Sequence, residues 1–257
     1  MSAVAINVQQ YPGKSQTWPV RLPSSDLSSD RVDVWRAQLD EPLSTVPASS
    51  ILSSDELARA SRFHFEKDRL HFVQCRSALR FLLSGYLGIP AAEIRFEYQP
   101  SGKPEVAAQQ NPRQLRFNVS HSAGVALIAV GDDHRIGIDI EKIRAEVDIT
   151  ALAERFFSVH ERTGLRALPG HFRAAAFFAC WTRKESFLKA TGEGLSFPLT
   201  DFSVTTHPDF DPTLEEIRGN TEARKQWFLA DLSVADGYRA TVTVEGAFSH
   251  IATYTQT

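Results

Sequence analysis

Near the middle of the chain, Arg135-Ile136-Gly137-Ile138-Asp139-Ile140-Glu141 alternates strictly between apolar and other residues, which predicts an extended strand. Alternation places Ile136, Ile138 and Ile140 on one face and Asp139 and Glu141 on the other. Same-face neighbours on a strand lie roughly 6.6 Å apart, so the two carboxylates can converge on one cation. Oxygen-only ligation suits magnesium, with water and a substrate phosphate completing the shell. A half-exposed edge strand with solvated acids fits the same pattern, and this segment alone does not choose between them.

The elements around that strand follow from periodicity and turn chemistry. Residues 1–30 are rich in Ser, Pro, Gln and Asp and read as a loosely held arm before a first strand at Val32–Leu39. Ser53 and Glu56 form a capping box that opens a short helix through Phe63. A longer helix is expected from about Lys67 to Leu87. Leu70, Val73, Leu79, Leu82, Leu83 and Tyr86 recur there at helical spacing, Gly88 stops it, and its other face carries Arg69, Arg76 and Arg80. Strands are expected at Ile94–Tyr98, Leu115–Ser120, Val125–Val130 and Arg135–Glu141. Helices return at Ile149–Phe157 and His171–Thr191, the latter closed by Gly192, before strands near Phe202–Thr205, Trp227–Leu232, Tyr238–Val244 and Ile251–Tyr254. This order predicts an α+β fold of two similar lobes, residues 31–134 and 135–257, with a site at their interface.

Further residues carry possible chemistry. Trp181, Glu185 and Lys189 recur at i, i+4, i+8, so one helix face offers an acid and a base together. An exposed Glu–Lys pair on an amphipathic helix explains that spacing equally. In Gln99-Pro100-Ser101-Gly102-Lys103-Pro104 a turn holds Lys103 beside a rigid proline, a suitable place for a cation to meet a phosphate. Ser120 and His121 are strand neighbours and point to opposite faces, and there is no G-x-S-x-G elbow, which disfavours a hydrolase triad. At a strand end they fit donors to phosphate oxygens, or bonds to backbone within a turn.

Composition narrows the classes. A formal charge of -3 and a pI near 6.2 give no broad basic field, so nucleic acid gains no support and phosphate binding must be local. Cys75 and Cys180 each sit inside an apolar helical pattern, which argues against a disulfide framework and a zinc site. Met1 to Tyr11 lacks the basic start and apolar stretch of a signal peptide, and no run approaches the ~20 apolar residues of a membrane span. A cytoplasmic protein is expected, in which Asn118-Val119-Ser120 is a false glycosylation sequon.

Taken in order, Gly102-Lys103-Pro104, Phe117-Asn118-Val119-Ser120-His121-Ser122, Gly137-Ile138-Asp139-Ile140-Glu141 and Trp181-Thr182-Arg183-Lys184-Glu185 resemble the 4'-phosphopantetheinyl transferases of the Sfp type, the larger two-lobed class. Arg62-Phe63 with the basic helix after it, Arg155-Phe156-Phe157-Ser158 and the stretch from Lys189 to Gly194 extend the similarity over roughly residues 50–205. The resemblance implies a pseudo-twofold fold whose lobes clasp coenzyme A, with magnesium at Asp139, Glu141 and Glu185. It implies a catalytic set of Glu185, Lys189, Asp139 and His121. Lys103, Pro104, Ser120, His121, Lys184 and Lys189 would line the coenzyme pocket, with Arg76, Arg69 and Arg59 toward its 3'-phosphate or the carrier. Glu56 stands where some relatives carry a lysine, and Glu161 resembles another recurrent family acid.

The reaction so implied is attack by a serine hydroxyl of an apo acyl or peptidyl carrier domain on the pantetheine-side phosphorus of coenzyme A, releasing 3',5'-ADP. A monomer is expected, since both pseudo-symmetric halves lie in one chain. Rival readings are a non-catalytic coenzyme A or nucleotide-binding module and a magnesium-dependent phosphodiesterase acting on holo carriers. The complete acid set argues against the first, and the motif order against the second.

Overall fold

The computed structural model describes residues 18–41, 46–246 and 250–256. The residues weighed above against a signal peptide, Met1 to Tyr11, and most of the expected arm lie outside that range. Of the arm's described residues most are exposed, Val20 and Leu22 among them, and two are buried. Trp18 is 2% exposed and donates its indole N–H to the Ser233 carbonyl at 2.9 Å, and Leu27 is buried as well.

Strand β1 (Arg31–Gln38) lies inside the first sheet. It pairs antiparallel with β5 (Val125–Asp132), which pairs antiparallel with β4 (Leu115–Ser122). Its other edge receives β11 (His250–Thr255) in parallel, so the sheet order is β11-β1-β5-β4. The last strand, expected with the second lobe, thus crosses back onto the first. Between β1 and β4 come α1 (Ser54–Ala60), α2 (Glu66–Leu87) and the short hairpin of β2 (Phe96–Tyr98) and β3 (Pro104–Val106).

The second sheet is built on β6 (Ile136–Lys142), which pairs antiparallel with β10 (Tyr238–Glu245), itself paired with β9 (Trp227–Asp231). Helices α3 (Ile149–Phe156), α4 (Val159–Ala167) and α5 (Gly170–Thr191) and the hairpin of β7 (Phe202–Val204) and β8 (Leu214–Ile217) complete this half.

The predicted faces explain the layering. Ile136, Ile138 and Ile140 meet Val32, Val34, Leu127 and Ala129 of the first sheet, so the two sheets bury an apolar layer between them. The outer face of the first sheet, through Trp35, Phe117, Ile128 and Val130, takes Leu79, Leu82 and Leu83 of α2. Each such fully buried aliphatic side chain contributes about 1.5–3 kcal/mol. Both long helices stop at glycines in the left-handed region, Gly88 at φ 68° and Gly192 at φ 76°, where a side chain would be strained.

Candidate active site

The site depends on how closely α5 lies on β6. A Cβ added to Gly137 would come within 2.0 Å of the Ser186 carbonyl oxygen and 2.4 Å of the Ala190 nitrogen, so helix backbone rests directly on strand backbone. Hydroxyls fix the crossing: Thr182 meets Thr241 at 3.1 Å and Ser186 meets Thr243 at 2.7 Å. Arg183, fully buried, donates to the Asp231 carboxylate and to the carbonyls of Thr205, His207 and Phe210. These contacts leave Glu185 and Lys189, one turn apart, half-buried above Asp139.

Asp139 is 4% exposed. Its Oδ1 accepts from Lys189 Nζ at 2.6 Å and from Ser120 Oγ at 2.9 Å, while Oδ2 is buried without a hydrogen-bond partner. Glu141 accepts from Ser122 Oγ at 2.9 Å. Its pKa is raised above the ordinary carboxylate value, first by desolvation and further by Asp139, with the Ser122 bond opposing. Glu185 is raised in the same direction, by desolvation first and then by Asp139 and Glu141, with Lys189 opposing. Glu185 on the helix thus feels the charge of both Asp139 and Glu141 on the distant strand.

Among the described residues no group of three His, Cys, Asp or Glu side chains stands ready-made as a metal cage. The donor set nonetheless fits a hard divalent ion. One buried carboxylate oxygen lacks a partner, and two further carboxylates lie where negative charge is crowded and costly. Magnesium is characteristically held by one or two carboxylates plus waters and substrate phosphates, not by an all-protein cage.

The residues expected to line a coenzyme pocket divide. Lys103 reaches the site from the β2–β3 hairpin, donating to the carbonyls of Ile136 at 3.0 Å and Lys189 at 2.6 Å, and burial lowers its pKa from 10.5 to about 8. Pro104 opens β3 beside it. His121 has its pKa lowered, by desolvation first and then by His71 and Lys189 nearby. Ser120 departs from the expected role. Its single proton goes to Asp139, and its oxygen accepts from Lys189 at 3.0 Å and from the Ile140 amide at 3.4 Å, which leaves no donor for a phosphate.

Two expectations are corrected outright. Lys184 is 1% exposed and spends all three donors inside the second half, on both Glu161 oxygens at 2.7 and 2.8 Å and on the Phe202 carbonyl at 2.7 Å. It holds Glu161, which also caps α4 through Ser158. Arg76 and Arg80 do not form an open basic face. Both are buried against Glu56, at 2.7 and 2.6 Å, because Glu56 turns inward as capping-box acid and counter-ion. Arg76 further donates to the Tyr98 hydroxyl at 2.6 Å. Arg69 pairs with Glu66 on the surface, and exposed Arg59 lies over the Phe72 ring.

The site also contains residues given no role above. Asn118 and Ser122 flank Ser120 at two-residue spacing on β4 and bond to β6. A polar row at strand period within Phe117–Ser122 was the available signal. His71 of α2 meets Asp40 at 2.8 Å, a pairing between residues far apart in sequence that leaves no local trace.

A family model described as the 4'-phosphopantetheinyl transferase superfamily matches residues 135–243, and one described as 4'-phosphopantetheinyl transferase, N-terminal, matches residues 34–132. The chain is 39% identical to 4'-phosphopantetheinyl transferase HetI of Nostoc sp. (strain PCC 7120) over 231 residues, 90% of this chain and 94% of that protein. It is 32% identical to 4'-phosphopantetheinyl transferase ffp of Bacillus subtilis and 30% identical to Sfp of Bacillus subtilis strain 168, each over 81% of this chain and 90% of the relative. With acids, lysine and serine assembled at one seam and relatives of this identity along nearly its whole length, the chain belongs to the 4'-phosphopantetheinyl transferase family.

Proposed function

We propose that this protein moves the 4'-phosphopantetheine arm of coenzyme A onto a serine of an apo acyl or peptidyl carrier domain, with magnesium. The observation that supports this best is the bond from Lys189 to Asp139 beside Glu185, whose proton affinity Asp139 and Glu141 raise, with one buried Asp139 oxygen left without a partner. The serine oxygen forms a bond to the pantetheine-side phosphorus, the bond from that phosphorus to the bridging oxygen breaks, and 3',5'-ADP leaves. Such transfer demands positioning and charge neutralisation more than covalent help.

Glu185, whose affinity for a proton is raised by burial and by Asp139, takes the serine proton. Lys189, already held by Asp139 and Ser120, offers its ammonium to the pyrophosphate. Lys103 and His121 line the pocket that receives the coenzyme, with Pro104 setting the hairpin. Asp139, Glu141 and Glu185 would hold magnesium, which when bound offsets phosphate charge. The lobes read at residues 31–134 and 135–257 contribute Ser120 on one side and the acids on the other, as a monomer working alone requires. No described helix is long and apolar enough to cross a membrane, and we place the reaction in the cytoplasm.

The test is intact-mass measurement of a panel of apo carriers after incubation with the protein, coenzyme A and magnesium. A gain of one phosphopantetheine arm is the expected result. Loss of the arm from a holo carrier would move the protein to the phosphodiesterase reading, and coenzyme binding without any mass change to the non-catalytic one.

A further inference from the structure

Where β4 meets β6, side chains take the place of a backbone ladder. Asn118 Oδ1 accepts from the Ile138 amide at 2.9 Å, Ser120 Oγ from the Ile140 amide at 3.4 Å, and Ser122 Oγ from the Lys142 amide at 3.1 Å. Each step advances both strands by two residues in the same direction, so they lie as parallel neighbours. No backbone pairing joins them, and the two sheets stay separate. Since β10 covers the opposite edge of β6, these side chains are what satisfies the amides on this edge.

The two serines then repeat one relationship. Ser120 accepts from the amide of Ile140 and donates to Asp139 at 2.9 Å. Ser122 accepts from the amide of Lys142 and donates to Glu141 at 2.9 Å. A hydroxyl has a single proton, so accepting from one β6 residue while donating to the preceding one fixes its orientation. The carboxylates are thereby aimed by the same contacts that join the sheets.

We propose that Asn118, Ser120 and Ser122 form a side-chain seam between the two sheets, and that Ser122 is a positioning residue that holds Glu141 toward a divalent cation. The seam stands on hydrogen bonds alone, and only the cation rests on the proposed function. Outer-shell partners that orient a ligating carboxylate typically govern metal affinity by 10–100-fold.

The test uses the full chain as wild type, Ser122→Ala and Ser122→Thr. Amide exchange of Lys142 is followed by NMR, and magnesium is titrated calorimetrically in the presence of coenzyme A. Ser122→Ala is expected to speed Lys142 exchange by about 3- to 10-fold, the loss of one hydrogen bond, and to weaken magnesium binding about tenfold. Ser122→Thr, which keeps the hydroxyl, restores both. Faster exchange with unchanged magnesium affinity overturns the positioning role, and unchanged exchange overturns the seam. A wild-type chain that binds magnesium yet modifies no carrier counts against the proposed function and leaves the seam standing.

Discussion

The Lys184 ammonium donates to both carboxylate oxygens of Glu161, at 2.7 and 2.8 Å, in a part of the molecule closed to solvent. Val204 N–H adds a bond to the same carboxylate at 2.9 Å, so the pair ties α5 to α4 and to β7. Removing one member of a buried pair leaves an uncompensated charge, which costs about 3–5 kcal/mol. Lys184→Met should therefore lower the free energy of unfolding in urea by about that amount, while the fraction still folded binds coenzyme A normally. Wild-type stability with lost coenzyme binding would return Lys184 to the pocket.

Glu185 links activity to stability. Folding raises its pKa, so the folded state holds the proton more tightly than the unfolded state. Stability then falls as pH rises between the two values, and above both the cost is complete. Glu185→Gln removes that charge and should raise the melting temperature of the metal-free protein at pH ~7, the gain vanishing toward the ordinary carboxylate value of 4.5. The same variant should lose at least about 100-fold in transfer rate, as loss of a positioned base does. Asp139→Asn is expected to be comparably inactive with its fold intact by circular dichroism. Wild-type turnover by either folded variant would remove the acids from the chemistry.

What could be read in the sequence followed from local periodicity. The alternation of Ile136, Ile138 and Ile140 predicted both the strand and its buried face, and the helix ending at Gly192 was read to within one residue of its observed start. What could not be read depended on partners far away in the chain. Lys184 and Lys189 are both basic residues of α5, and only Glu161 on one side and Asp139 on the other decide which is structural and which faces the site. The spacing of Arg76 and Arg80 reads as an open basic face, whereas Glu56, on another helix, lies against both. The crossing of β11 to β1 is a long-range parallel pairing with no local signature. Helix α4 is not among the expected elements, although Ser158 and Glu161 carry its capping box.

Gly137 should tolerate no side chain. The methyl of Gly137→Ala would sit 2.0 Å from the Ser186 carbonyl oxygen, and because the obstacle is helix backbone, α5 itself must shift. Overpacking of this kind costs about 1–3 kcal/mol, and it displaces Glu185 and Lys189 relative to Asp139. We expect reduced urea stability together with a fall in transfer rate larger than the stability loss explains. Gly170→Ala, at the start of the same helix with nothing within 4 Å of the added atom, is the control and should be neutral. Equal behaviour of the two variants would show that the close crossing of α5 over β6 is not what holds the site.

Lys103 should impose a pH limit on coenzyme binding. Burial lowers its pKa from 10.5 to about 8, with Glu105 opposing and Arg116 and Arg135 adding to the shift. A bound phosphate favours the ammonium, so the pKa in the complex lies above that of the free protein. Affinity must then fall as pH rises through the free value of about 8 toward the bound one, by at most about tenfold per pH unit. Coenzyme A binding measured by calorimetry from pH ~7 to pH ~9.5 should show this decline in the wild type and a flatter profile in Lys103→Met, whose affinity at pH ~7 should already be reduced. An identical slope in both proteins would assign the titration to another group and leave Lys103 as a tie between the hairpin, β6 and α5.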